Sequence, residues 1–194
     1  MIKTTVVSSA LASVLAVVML IALAFSAPVM ADKMADEGPS PADLNDLEIA
    51  HVAYTADLID IRYAHLALAK SKDPKVREFA QTMIRDHSAV NDQALALLKK
   101  LNANAQDNFL SKQLSAQADQ LVDEMSSLSG KAFDQRYADN ELGYHQAVIA
   151  LVGDTFIPNI ENPELKALFE QALKIFKAHE QHAEKMVASL KGCE

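Results

Sequence analysis

Histidines and acidic residues are the side chains of this sequence that could hold a metal ion. The chain has six histidines, and all of them fall in segments with helical periodicity. Imidazole nitrogens bind zinc, copper and iron, and carboxylates can complete such sites. We therefore predict a mononuclear site in the core of a helical bundle. The predicted ligands are Asp60, His87, Glu141, His145, His179 and His182.

The spacing of these residues predicts that those on the first two helices can meet. Asp73 marks a predicted turn between two helices. Asp60 lies 73 − 60 = 13 positions before it, and His87 lies 87 − 73 = 14 positions after it. At about 1.5 Å of rise per residue, Asp60 and His87 are at nearly the same height. Glu141 and His145 are four positions apart and share one helix face.

The match in height is poorer in the second pair of helices. The separation from His145 to Phe156 is five positions shorter than that from Pro163 to His179. The mismatch is roughly 7–8 Å, part of which the loop must absorb. His179 and His182 are three positions apart and therefore share a face.

Two other metal chemistries are disfavoured by the motifs present. A two-iron centre needs Glu-x-x-His on each of two helices plus further glutamates. Only Glu48 to His51 fits that string, and it lies about two to three turns from Asp60. A copper store built on thiolates is excluded by the single cysteine, Cys193. An oxidoreductase is thus the least favoured hypothesis, and the sequence leans against an enzyme.

A polar network without metal is the alternative interpretation of the same residues. Asp86 or Asn91 would then hold His87, and Tyr137 or Tyr144 would hold the other histidines. Such networks specify a unique core without binding any ligand. The sequence alone leaves both interpretations open.

The first long helix is predicted to begin at Ser40-Pro41, an N-cap followed by proline at the first helical position. Its apolar stripe is Leu44, Leu47, Tyr54, Leu58, Ile61 and Leu68. His51 and His65 occupy skipped positions of that stripe. We assign both to ordinary core packing in a helix of about 30 residues.

Three further helices follow, with a weaker helical segment at residues 109–127. Asp73-Pro74 begins the second helix, Ser129 caps the third, and Asn162-Pro163 begins the last. The third is predicted to end near Thr155, because Pro158 cannot continue a helix. The second stripe is Val76, Ala80, Met83, Val90, Ala94, Leu97 and Leu101, with His87 in its gap. The last stripe is Leu165, Phe169, Ala172, Phe176, Met186 and Leu190.

These elements predict an all-α fold, a ferritin-like four-helix bundle of two antiparallel hairpins with a helix-containing crossover. The alternative is an up-and-down bundle in which residues 109–127 form a fifth helix. The predicted domain covers residues 41–192, after a flexible lead-in at residues 32–40.

Residues 1–31 are predicted to be a cleavable signal peptide. Lys3 precedes an apolar run, and Val29 and Ala31 suit signal peptidase. Cleavage after Ala31 would leave 163 of the 194 residues, and we expect the product in the bacterial periplasm. No cysteine directly follows the cleavage point, which argues against a lipoprotein.

The acidic composition limits the partners of the protein. The formal net charge of −8 would become −9 on loss of Lys3, and no basic stripe favours nucleic acid. We expect no stable membrane insertion after cleavage. The sequence allows a homo-oligomer and identifies no protein partner.

Several segments together resemble the bacterial domain of unknown function 4142 family, over roughly residues 45–190. The matching segments are 59–61, 66–71, 73–87, 128–134, 144–148, 157–159, 162–166 and 179–183. The resemblance implies a ferritin-like fold, and it implies that the family's recurring polar positions are Asp60, His87, His145, His179 and His182. It brings no established reaction. The family's common label, "predicted outer membrane protein", does not fit a helical bundle.

Two functional hypotheses therefore lead. The first is a periplasmic protein that binds zinc, copper or iron through the histidine and carboxylate cluster, for metal handling or envelope stress. The second is a metal-free structural or interaction bundle in the cell envelope.

Overall fold

Five long helices make up most of residues 38–192, the part of the chain that the computed structural model describes. They are α1 (Asp46–Lys70), α2 (Pro74–Lys100), α3 (Phe109–Ser127), α4 (Gly130–Ala150) and α5 (Pro163–Lys191). No strand occurs within that range, so the all-helical class is confirmed. The predicted signal peptide and Cys193 lie outside the described residues.

Side-chain caps explain where most of these helices begin. The Asp73 carboxylate accepts hydrogen bonds from the backbone amides of Lys75 and Val76, and Asn162 caps α5 in the same way. Both predicted starts are confirmed. Ser129 precedes α4, but its side chain makes no capping hydrogen bond.

The predicted start of the first helix was wrong. Ser40 caps only a single 3-10 turn, Pro41–Asp43. The chain then becomes extended at Leu44, and α1 begins after Asn45. Asn45 and Glu48 form a reciprocal capping box there, which stabilises a new helix start.

Helices α1 and α2 form an antiparallel hairpin. Their connection is short, and the Arg77 guanidinium on α2 donates to the carbonyls of Leu68 and Ser71 at 2.6 and 3.0 Å. The α2 stripe is buried as predicted from Val76 to Val90, with His87 in line.

The predicted α1 stripe was only partly right. Leu58 is 45% exposed and His65 is also exposed. Instead, Ile59, Tyr63 and Ala67 are buried. Helix α1 packs against α2, α3 and α4, so its buried positions extend around the helix and do not form one stripe.

Helices α4 and α5 form the second antiparallel hairpin, and α4 is extended beyond its predicted end. The chain continues through a π-helical segment, Leu151–Phe156, and a last helical turn, Ile157–Asn159. The helix that carries His145 ends at Asn159, 159 − 145 = 14 positions later. His179 lies 179 − 163 = 16 positions after Pro163, where its own helix begins. The height mismatch shrinks to about 3 Å, because the helix runs further than Pro158 had suggested.

The two hairpins pack side by side, with α2 against α5 and α1 against α4. Helix α3 lies in the connection between them and packs mainly on α1, where Ala118 and Met125 join the core. Among residues 38–192, no helix is long and apolar enough to cross a membrane.

Candidate metal centre

Five of the six predicted ligands converge where α1, α2, α4 and α5 meet. Each is at most 3% exposed. Ligand atoms of His87, His145 and His179 lie within 4.8 Å of one another, and so do those of Asp60, Glu141 and His145. His145 belongs to both groups, so the five side chains surround one common volume.

His87 lies between two buried carboxylates of α1. Its Nδ1 is 2.6 Å from Asp57 Oδ1, and its Nε2 is 3.1 Å from Asp60 Oδ2. Asp57 and Asp60 are three positions apart on one face of α1. One carboxylate therefore orients the ring, while the other faces the nitrogen that points into the centre.

His145 and His179 are each held through one ring nitrogen. His145 Nδ1 donates to the Glu141 carbonyl at 2.8 Å, and its Nε2 is 3.4 Å from Asp60 Oδ2. His179 Nε2 donates to Asp86 Oδ2 at 3.0 Å. Arg85 binds the same carboxylate through two hydrogen bonds of 2.7 and 3.0 Å. These bonds fix the tautomers, so the other nitrogen of each ring carries a lone pair.

The remaining polar atoms of the centre have no hydrogen-bond partner within the described part of the chain. They are His145 Nε2, His179 Nδ1, Asp60 Oδ1 and Glu141 Oε2, whereas His87 Nε2 and Asp60 Oδ2 face each other at 3.1 Å. Burying such atoms unpaired costs free energy. A histidine that binds metal through one nitrogen typically donates through the other to a carboxylate or carbonyl, and all three histidines show that arrangement.

The pKa values of His87 and Asp60 are shifted in opposite directions by their proximity. Burial alone would lower the pKa of His87, but Asp60 and Asp57 outweigh burial and raise that pKa well above its usual value. Burial alone would raise the pKa of Asp60, but the His87 charge outweighs burial and lowers it. Without metal, His87 and Asp60 thus form a buried ion pair. Burial raises the pKa of Asp57, against the attraction of His87.

The other three ligand candidates are shifted towards their neutral forms. Burial, reinforced by the charge of Asp60, raises the pKa of Glu141 well above its usual value. Burial lowers the pKa of His145. It also lowers the pKa of His179 to about 4, in spite of Asp86. At neutral pH, His145 and His179 are therefore neutral imidazoles, the form that binds metals.

Aromatic rings close the centre off from water. Phe176 stacks on His87 with ring centroids 5.4 Å apart and planes 15° apart. Phe79 meets His145 edge-on at 6.3 Å. Apolar walls of this kind strengthen every electrostatic interaction inside the site.

The residues that hold the histidines differ from those expected of the polar network. Asp57 holds His87 and was not among the predicted residues, although its position one helical turn before Asp60 was a signal. Asp86 holds His179, not His87. The Tyr144 hydroxyl donates to the Ala56 carbonyl at 2.9 Å. No partner for the Tyr137 hydroxyl occurs among residues 38–192.

The remaining histidines lie apart from this cluster. The half-buried His182 ring packs against Phe79, with centroids 5.0 Å apart. It is not in either group of described residues whose ligand atoms lie within 4.8 Å, and its role as a ligand stays a prediction. His51 is half-buried, with Nδ1 4.0 Å from Asp107. His65 is exposed, so its assignment to the core was wrong.

Comparison with known proteins gives a family match and two similar structures. The sequence profile of the family described as "Domain of unknown function (DUF4142)" matches residues 31–186. No curated protein matches the chain.

The two similar structures share the helical fold at low sequence identity. One is described as "Crystal structure of DUF305 fragment from Deinococcus radiodurans". It is 14% identical with a TM-score of 0.65, covering 77% of this chain and 97% of the other. The second is described as "CopM in the Cu(II)-bound form". It is also 14% identical, with a TM-score of 0.57, covering 75% of this chain and 97% of the other.

Proposed function

The chain belongs to the domain of unknown function 4142 family, and from its buried centre we propose that it binds one divalent transition-metal ion. The observation that carries this proposal is a buried cluster in which ligand atoms of three histidines lie within 4.8 Å of one another beside Asp60 and Glu141. Within it, His145 Nε2 and His179 Nδ1 have no hydrogen-bond partner in residues 38–192. Each ring is already oriented by a hydrogen bond from its other nitrogen.

The donor set favours particular ions. Three imidazoles suit zinc, copper and iron, and the carboxylates of Asp60 and Glu141 favour a divalent ion. Two nitrogens bound to one ion at about 2.1 Å can be no more than about 4.2 Å apart. The ligand atoms of the three histidines now lie within 4.8 Å of one another. The rings therefore need to move inwards by less than about 1 Å.

Binding exchanges protons for metal. Without metal, the protonated His87 supplies the positive charge that Asp60 needs in its buried position. An ion takes over that role once the Nε2 proton leaves and Glu141 ionises. The centre is thus a place where a divalent cation replaces protons, as ligand deprotonation requires.

Binding is favoured over catalysis. Catalytic metal sites keep an open coordination position, whereas sites that only hold the metal are closed by protein ligands. Here five protein side chains surround the centre, and none is more than 3% exposed. We therefore propose metal handling, and the fold likeness to CopM, described as Cu(II)-bound, supports copper as one ion to test.

We also propose a ferritin-like arrangement, in which α1, α2, α4 and α5 form the bundle and α3 is the crossover. Packing of α3 on α1, which does not precede or follow it directly in the chain, supports this over an up-and-down bundle. Export to the periplasm, with cleavage after Ala31, remains part of the proposal. It is supported by the apolar segment and cleavage-type residues of the sequence.

A metal-free polar core is the second candidate function. The specific observation in its favour is the contact of His87 with Asp57 and Asp60 at 2.6 and 3.1 Å. This ion pair balances charge in the core without any metal. It leaves His145 Nε2 and His179 Nδ1 unexplained.

The experiment is a Cu²⁺ titration of the full chain followed by electron paramagnetic resonance. A Cys193→Ser background removes the tail thiol as a competing ligand. We expect one tight site with nitrogen hyperfine structure, and about 100-fold weaker binding or worse in His87→Ala, His145→Ala or His179→Ala. A His65→Ala control should bind as the parent does. Tight binding that survives all three substitutions would reject this site.

A further inference from the structure

The burial of the candidate centre poses an access problem for any ion. Its five ligand candidates are at most 3% exposed, so an ion must pass through the protein to reach them. A path needs room and polar groups to replace the water that the ion loses. A cavity in the wall of the centre that combines both would meet that need.

One narrow cavity is lined by two residues that contact His87, namely Asp57 and Phe176. It lies between α1, α2, α5 and the π-helical segment, and its volume is about 20 Å³, room for about one water molecule. Asp57 lines it and also contacts His87 Nδ1. Phe176 lines it and stacks on the His87 ring. The inner end of the cavity thus contacts the residues that hold His87.

The outer end of the cavity reaches towards solvent. Its outer lining includes Tyr54, Ala94 and Leu168, which are half-buried, whereas the inner lining is buried. Part of the wall is Val152, in the π-helical segment Leu151–Phe156. Such segments are often found at functional sites. The cavity therefore extends from half-buried residues to two residues that contact His87.

Asn91 provides the polar group that this otherwise apolar cavity needs. It lies one helical turn beyond His87, is only 5% exposed, and lines the cavity. Neither its amide nitrogen nor its amide oxygen has a partner in the described segment. Leaving a buried amide unpaired costs free energy, and a water molecule or an ion in the cavity would satisfy it.

We propose that the divalent ion reaches the histidine cluster through this cavity, where the oxygens of Asn91 and Asp57 receive it. The inference rests on the proposed function. A hard or borderline divalent ion accepts amide and carboxylate oxygens as ligands. On this path the next group is the His87 ring, which contacts Asp57 and Phe176. The centroid of that ring is 5.8 Å from the centroid of His145 and 5.2 Å from that of His179.

The other side of the centre is less suited to cation passage. Asp86 is the partly exposed group there, with a side chain 25% exposed. Its carboxylate already accepts hydrogen bonds from the Arg85 guanidinium. That positive charge repels an incoming cation. Passage there would also break the hydrogen bond from His179 to Asp86 that orients a ligand.

The test measures Co²⁺ binding by stopped-flow absorbance on the full chain. Asn91→Leu removes the receiving oxygen, and Ala94→Leu fills the outer end of the cavity. A blocked path slows association and dissociation alike, so we expect both rate constants to fall about tenfold or more. The equilibrium dissociation constant should stay within about threefold for Ala94→Leu. Ala89→Leu, an exposed position on the same helix, is the matched control and should leave both rates unchanged.

The outcomes separate this inference from the proposed function. If the parent chain takes up no Co²⁺, the proposed function fails. If the parent binds Co²⁺ and Ala94→Leu binds it equally fast, only the path is overturned. Faster association in Arg85→Ala with no slowing in Ala94→Leu would move the path to Asp86. Circular dichroism confirms folding, and Ala94→Leu decides the matter if Asn91→Leu does not fold.

Discussion

Replacing His87 with alanine should destabilise the metal-free protein more than most single substitutions. The ring contacts Asp57 and Asp60 at 2.6 and 3.1 Å, with all three side chains at most 4% exposed. Removing one partner of a buried ion pair costs roughly 3–5 kcal/mol, because it leaves a charge uncompensated. Here the variant leaves two carboxylates on one helix face. We expect the free energy of unfolding to fall by about that amount at neutral pH.

The loss of unfolding free energy in His87→Ala should become smaller as the pH falls. In the variant, burial without a cation raises the pKa values of both carboxyls, so the native state binds more protons than the unfolded state. Stability then rises as the pH falls. In the parent, the His87 contribution is fully present below its unfolded-state pKa and lost only as the pH rises through its raised folded pKa. The difference between parent and variant should therefore narrow between about pH 6.5 and 5.

The assay is urea unfolding followed by circular dichroism in chelator-treated buffer. His65→Ala, at an exposed position, is the control and should lie within about 0.5 kcal/mol of the parent. His87→Gln keeps a donor and should lose less than His87→Ala, which guards against a variant too unstable to measure. A His87→Ala protein within about 1 kcal/mol of the parent would refute the buried ion pair.

Three further predictions concern protons and ligand orientation. Burial lowers the pKa of His179 to about 4, so its stabilising contribution is present above the unfolded pKa and lost as the pH falls from about 6.5 to 4. In His179→Gln the free energy of unfolding should lose the part of its pH dependence that one proton causes, up to about 3 kcal/mol over this range. Urea unfolding at several pH values measures it. Metal affinity should rise with pH, because the proton on His87 must leave, and calorimetry in buffers of different ionisation enthalpy should detect at least about one released proton. Asp57→Asn should keep the stoichiometry but weaken binding by about 10–100-fold, and unchanged affinity would show that Asp57 does not orient His87.

The sequence was sufficient for the features that depend on local periodicity. The α2 and α5 stripes are regular, and both helices follow an Asx-Pro start, so their buried faces were predictable. The height match of Asp60 and His87 followed from the short turn between α1 and α2. In the structure His87 Nε2 and Asp60 Oδ2 lie 3.1 Å apart.

The features that periodicity could not supply depend on tertiary packing. Helix α1 contacts three other helices, so an apolar residue such as Leu58 is exposed while Asp57 is buried. No single-stripe pattern predicts that exchange. The continuation of α4 through a π-helical segment was missed because Pro158 was taken as a stop. In the structure Pro158 lies in the last helical turn, Ile157–Asn159, directly after the π-helical segment Leu151–Phe156.

The partners of the histidines were likewise set by three-dimensional geometry. Asp86 is adjacent to His87 in sequence, but neighbouring residues on a helix point in different directions. Asp86 therefore reaches across to His179 on α5. His87 is served by Asp57, which lies on the preceding helix.

Metal stoichiometry tests the central proposal most directly. The full chain in a Cys193→Ser background is loaded with Zn²⁺ or Cu²⁺, desalted, and analysed for metal content, beside a His87→Ala, His145→Ala double variant. We predict about one equivalent per chain in the parent and a loss of bound metal in the double variant. Less than about a tenth of an equivalent in the parent, with no uptake on titration, would contradict the account and favour the metal-free core.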